Sequence, residues 1–327
     1  MYVIILPADY WRDIEETQQM AGLKYSKYII NTAKPLPPEF QAKAEADRKN
    51  QKVTIESTHL MSVDDDVVEG FFYVDCSWLW SGSAEDPIEE PHTHDFDEVI
   101  GLVGSNRDDP HDLGGKITIW LDGREEVLTK SCLIFIPAGT PHCPILFNRV
   151  DKPICFVTIA TTGKHTRNAI NGEVTVRPGE PKYAIITETK QRFTVAASGG
   201  EAPPPPPNPN LKSARILHLE DDIAKGSFYV DFVWIYEGTG AAPAPEHSHE
   251  WPELIAMAGC DQENPREMGG PMSIVLGDET HVITKSSLVC IPKGLKHCPW
   301  KFLDIKKPTL VFTAGPSGMY TGTHKKD

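Results

Sequence analysis

The chain has 327 residues, with 32 Lys and Arg against 46 Asp and Glu, for a formal charge of −14. Its 40% hydrophobic content is enough for a substantial core and excludes general disorder. An acidic chain with no concentrated run of basic residues excludes nucleic acid and anionic membrane surfaces as partners, which leaves small molecules and other proteins.

The opening segment MYVIILPADYW has no basic stretch, and its apolar run stops at Pro7, so a secretory or transit signal is not expected. No apolar run approaches the roughly 20 residues that span a bilayer, and the expected compartment is the cytoplasm. A helix is expected over residues 9–22, closed by Gly22, and a second over residues 37–51, with Pro38 in its first turn. The runs FFYVDCSWLW, GKITIWL, EEVLTK, CLIFIP and ICFVTIA then read as short strands, separated by Gly, Pro and Asp. EAPPPPPNPN (residues 201–210) reads as a stiff extended connection. The seven cysteines show no CxxC spacing and read as reduced, mostly buried thiols.

The sequence contains itself twice. Residues 92–144 align with residues 247–299 at a constant offset of 155, with 21 of 53 positions identical. EGFFYVDCSW pairs with KGSFYVDFVW upstream, and Tyr28 and Thr32 pair with Tyr183 and Thr187. The two repeats are assigned to residues 1–175 and 176–327, and each reads as a β-sandwich or small barrel.

Each repeat carries three histidines and one glutamate in the same pattern. In HTHDFDE, His92, His94 and Glu98 share even parity and project from one face of an extended strand; HSHEWPE does the same with His247, His249 and Glu253. Downstream, IPAGTPHCP and IPKGLKHCP place His142 and His297 three residues after a glycine able to form a sharp turn. Such a set suits a divalent metal, among manganese, iron, nickel, cobalt and zinc, with coordination positions left for water or substrate. Up to two ions per chain are expected. Phe96 and Trp251 share the ligand parity and are candidates for the pocket wall. Strand alternation directs Cys143 and Cys298 away from the metal. The polar loops at residues 105–115 and 260–270 are either lids or plain connections.

These paired motifs resemble the two motifs of the cupin superfamily, and their duplication resembles a bicupin. The resemblance implies an all-β chain of two tandem jelly-roll barrels with a few flanking helices, each barrel holding a metal through its three histidines and glutamate. The sequence departs from the family's pattern at Asp86, Ala241, Ser131, Ser286, Leu146 and Lys301, which stand at turns and not at ligands. The resemblance further implies a metal that chelates neighbouring substrate oxygens and stabilises an enolate. The first functional expectation is cleavage of a carbon–carbon bond beside a carbonyl in a 1,3-diketone or polyphenol-derived compound, leaning to hydrolysis, with the catalytic base unnamed. An iron-dependent dioxygenase is the alternative, followed by a sugar or sugar-acid isomerase and a non-catalytic storage protein. A homodimer or larger assembly is expected.

Overall fold

Strands form here because apolar residues fill both faces of the same segments. Along Glu98–Gly104, Val99 and Val103 face one hydrophobic cluster while Ile100 and Leu102 face another. This computed structural model describes residues 22–35, 46, 49, 53–170, 172, 174–176, 179–189, 194–195, 201–202, 208–242, 244–321 and 323–324. The two expected helices lie outside the described residues, apart from Gly22 and positions 46 and 49, as do residues 203–207 of the proline run.

Each half is a pair of curled antiparallel sheets. In the first half, Ala184–Ile186, Cys132–Ile136, Glu98–Gly104, Ile154–Ala160, Tyr73–Ser81 and Glu56–Val63 lie side by side in that order. Asn168–Ala169, His92–Thr93, His142–Val150, Asp112–Leu121 and Arg124–Lys130 form the facing sheet. The second half repeats this arrangement, but Tyr229–Ala241 runs on from Thr309–Gly315 to His297–Ile305 and joins its two sheets into one. The expected all-β architecture of two jelly-roll barrels is therefore observed.

The halves exchange their outermost strands. Ile29–Ile30 pairs with Ser287–Ile291 of the second half, and Ala184–Ile186 pairs with Cys132–Ile136 of the first. Three cores result: one inside each barrel, and a third between the halves built from Leu60, Trp78, Trp80, Phe232, Trp234 and Tyr236 among others. Trp234 donates its indole N–H to the Gly104 carbonyl of the opposite half at 3.1 Å.

The two polar loops serve this junction. Arg107 pairs with Glu237 at 3.1 Å, His111 Nδ1 meets the Thr187 carbonyl, Gln262 donates to Glu56, and Arg266 donates to the Leu60 carbonyl. Both loops reach the opposite half of the chain, so they act as clasps. Ser131 and Ser286, at equivalent places in the two halves, have a matching local role. Ser131 Oγ accepts the Gly104 N–H at 3.0 Å and donates to the Pro110 carbonyl, pinning the loop to its strand; Ser286 does the same with Gly259 and Pro265.

Candidate metal centres

Within each barrel the strands bring the four singled-out side chains together. His92 lies directly across from His142 on neighbouring strands, and His247 across from His297. The turn glycines Gly139 and Gly294 adopt φ of 73° and 78°. They donate their N–H groups to the His94 and His249 carbonyls at 2.7 and 2.8 Å, which ties the two ligand-bearing segments to each other. Glu98 and Glu253 open strands whose even-numbered or matching residues face the barrel interior, which delivers their carboxylates to the histidines. All eight side chains belong to residues no more than 4% exposed. In the second half, ligand atoms of His247, His249, Glu253 and His297 all lie within 4.8 Å of one another; in the first, His94, Glu98 and His142 do so. The His92 ring stands 4.3 Å from that of His142, the separation also found between His247 and His297.

The imidazoles are oriented from behind. All six place Nδ1 against a backbone carbonyl: His92 on Glu90, His94 on Thr166, His142 on Thr140, His247 on Pro245, His249 on Thr321 and His297 on Leu295, at 2.5–2.9 Å. A carbonyl only accepts, so Nδ1 carries the hydrogen and Nε2 carries the lone pair. Nε2 of His142 then stands 3.2 Å from Glu98 Oε2, and Nε2 of His297 stands 2.7 Å from Glu253 Oε2, with no hydrogen-bond partner for any of these buried atoms. Acceptors facing acceptors in a buried site are unfavourable unless a cation lies among them. The donor set thus fits a divalent ion on this chain's own geometry.

Without an ion the histidine and glutamate side chains pair with each other instead: burial works to lower the His142 imidazole, but Glu98 outweighs it and raises it. Burial pushes His92 and His247 down to about 4, so both imidazoles are neutral near pH 7. Burial works to raise the Glu253 carboxyl, but the adjoining His249 and His297 rings outweigh it and hold it at about 2. Glu98 is held low in the same way, with His142 and His165 opposing its burial. For the metal-free protein this gives a sign. A depressed histidine contributes stability present above its unfolded value of 6.5 and lost as pH falls through its folded value near 4. We therefore expect His247→Gln to flatten the fall in urea midpoint between pH 6.5 and 4; a variant with the unaltered slope would contradict the assignment.

Phe96 and Trp251 stack on the candidate ligands, with ring centroids 4.6 Å from His94 and 4.1 Å from His249. Cys143 departs from the sequence expectation: its Sγ lies within 4.8 Å of nitrogens of His92 and His142. The reason is local, since Cys143 has a left-handed φ of 65° that breaks strand alternation. Burial raises its thiol pKa well above the usual range, so it is a protonated, packed thiol. Lys130 and Lys285 are exposed and stay outside the barrels.

The sequence reading missed two residues. His165 Nε2 lies 2.8 Å from Glu98 Oε1, and the Tyr320 hydroxyl lies 2.8 Å from His247 Nε2. They occupy equivalent places 155 positions apart, on the segments that cross each barrel after its last long strand and add Asn168–Ala169 or Thr323–His324 to the sheet edge. Extending the repeat offset beyond residue 299 finds this pair.

No protein-family model matches the sequence, and no curated protein matches it. Solved structures do match. A deletion mutant of Bacillus subtilis oxalate decarboxylase superposes with a TM-score of 0.50 at 12% identity, covering 83% of this chain and 76% of that one. The fold is that of a bicupin. A structure used to study the Mn(II) centres of the same Bacillus enzyme gives a TM-score of 0.49 at 12% identity, covering 83% and 77%. The formate complex of Lactobacillus farciminis oxalate decarboxylase gives 0.48 at 12% identity, covering 83% and 85%. At this identity the likeness is one of fold, and the bicupin barrels here are described by their own residues.

Proposed function

We propose that the chain is a metal-dependent enzyme that splits the carbon–carbon bond beside a carboxylate in a small chelating dicarboxylate. The observation that carries this reading is the set of imidazoles locked with Nε2 toward a buried glutamate, once in each barrel. Solved structures of like fold include an oxalate decarboxylase, and manganese, one of the divalent metals that the donor set suits, is the first to test.

A divalent ion held by His92, His94, Glu98 and His142 would bind two substrate oxygens and stabilise negative charge as it develops on them. The chain supplies the surroundings. Backbone carbonyls fix the imidazole rings before substrate arrives, so no reorganisation is required in the transition state. Burial of all four ligands excludes water and limits the substrate to a few atoms. Arg167, paired with Glu89 at 2.6 Å, is close enough for its charge to contribute to lowering the His92 imidazole. It offers a cation for a second carboxylate. As the carbon–carbon bond breaks, carbon dioxide leaves without the bonding pair, and the carbon that keeps the pair takes a proton to give a monocarboxylate.

Hydrolytic opening of a 1,3-diketone and ring-cleaving dioxygenation use the same kind of ligand set. The Cys143 thiol beside His92 and His142 favours a route that does not consume oxygen, since a thiol there is an oxidation target. The test is Mn(II)-loaded protein assayed with oxalate, malonate and a cyclic 1,3-diketone while carbon dioxide, organic acid and oxygen are followed together. Carbon dioxide and monocarboxylate in equal amounts, without net oxygen uptake, are expected. Stoichiometric oxygen uptake, or acid release from the diketone alone, would overturn the decarboxylase reading.

A further inference from the structure

The two centres share their ligands and differ in what covers them. In the first, the covering side chain is His165, which is turned to the carboxylate at 2.8 Å from Glu98 Oε1. In the second it is Tyr320, whose hydroxyl is 2.8 Å from the lone-pair nitrogen of His247. We propose that Tyr320 caps the second centre, filling the coordination position that the first centre leaves for substrate. This inference rests on the metal-binding reading above.

The distance carries the argument. Neighbouring ligand atoms of an octahedral ion with bonds of about 2.1 Å stand about 3 Å apart. The phenol oxygen lies at that separation from His247 Nε2, its O–H donating to that lone pair while no ion is bound. Tyr320 is also held in place on every side. Its backbone N–H donates to Glu220 Oε1 at 2.8 Å. Its ring packs against Tyr229 and His249 with centroids 4.9 and 5.0 Å away, and against Trp251 at 6.1 Å. The loop before it is pinned where Asp221 donates its N–H to the Gly318 carbonyl. A side chain so enclosed gives way to a weak ligand only by disrupting its neighbours. The residues two positions further on differ in type: Arg167 in the first half corresponds to Gly322 in the second.

The test counts exchangeable water on Mn(II), which depends on an open coordination position and not on turnover. Water-proton relaxation is measured on protein with the first centre disabled by His94→Ala and His142→Ala, with the second disabled by His249→Ala and His297→Ala, and on the first of these carrying Tyr320→Phe. We expect the second centre alone to relax water weakly and Tyr320→Phe to raise its relaxivity per ion about twofold, to the level of the first centre. If the double variants do not fold, comparing Tyr320→Phe with the unsubstituted protein at two Mn(II) per chain reads the same change at about half the size. Equal relaxivity at the two centres, no response to Tyr320→Phe, or no Mn(II) binding at the second centre in either form would overturn the proposal. Failure to release carbon dioxide from either oxalate or malonate would sink the proposed function and leave this inference standing.

Discussion

Replacing Glu98 by glutamine lowers turnover by at least about a thousandfold, equivalent to about 4 kcal/mol of transition-state stabilisation. The amide has nearly the volume of the carboxylate, so the barrel stays filled, but the one anionic group facing the lone pairs of His94 and His142 is gone. Metal affinity at the first centre falls more than about 100-fold, since even the residues behind metal ligands cost 10–100-fold when removed. Metal content and initial rates on the same preparation check both numbers. A Glu98→Gln protein with full metal content and ordinary rates would remove Glu98 from the centre. A storage protein would show a change in stability alone.

Replacing Trp234 by alanine destabilises the whole molecule by about 3–5 kcal/mol, the range for emptying a large aromatic site in a core. Trp234 is 1% exposed, stacks with Tyr236, lies 6.3 Å from Trp78, and bonds the Gly104 carbonyl across the junction of the halves. Phenylalanine retains most of the contact area and loses the hydrogen bond, so Trp234→Phe costs less, about 1–3 kcal/mol. Because the core between the halves is shared and the outermost strands are exchanged, both halves unfold in one transition. Urea unfolding followed by circular dichroism reads the midpoint shift. Two separate transitions in the unsubstituted protein would contradict a common core.

Much of this was legible in the residues. The spacing of HTHDFDE and HSHEWPE singles out three side chains that converge, although not from one strand face: His92–Thr93 and Glu98–Gly104 are separate strands in different sheets, as His247–Ser248 and Glu253–Gly259 are separate strands. The glycine three residues before His142 and His297 permits the turn that returns the fourth. The repeat doubles each signal. What escaped was non-local. Nothing in Ile29 and Ile30 states that they add to a strand more than 250 residues away. Alternation misplaced the Cys143 thiol because one positive φ interrupts it. The polar loops gave no sign of direction, since their arginines act on partners in the other half. His165 and Tyr320 differ in residue type, so they do not stand out as a repeated motif although they share one place in the fold.

The account stands on two metal centres in one chain, and the metal content of the unsubstituted protein tests it most directly. Protein purified without a histidine tag or added metal, and measured by plasma mass spectrometry before and after incubation with Mn(II), is expected to hold close to two ions per chain once loaded. Protein that carries none and takes up none would contradict it.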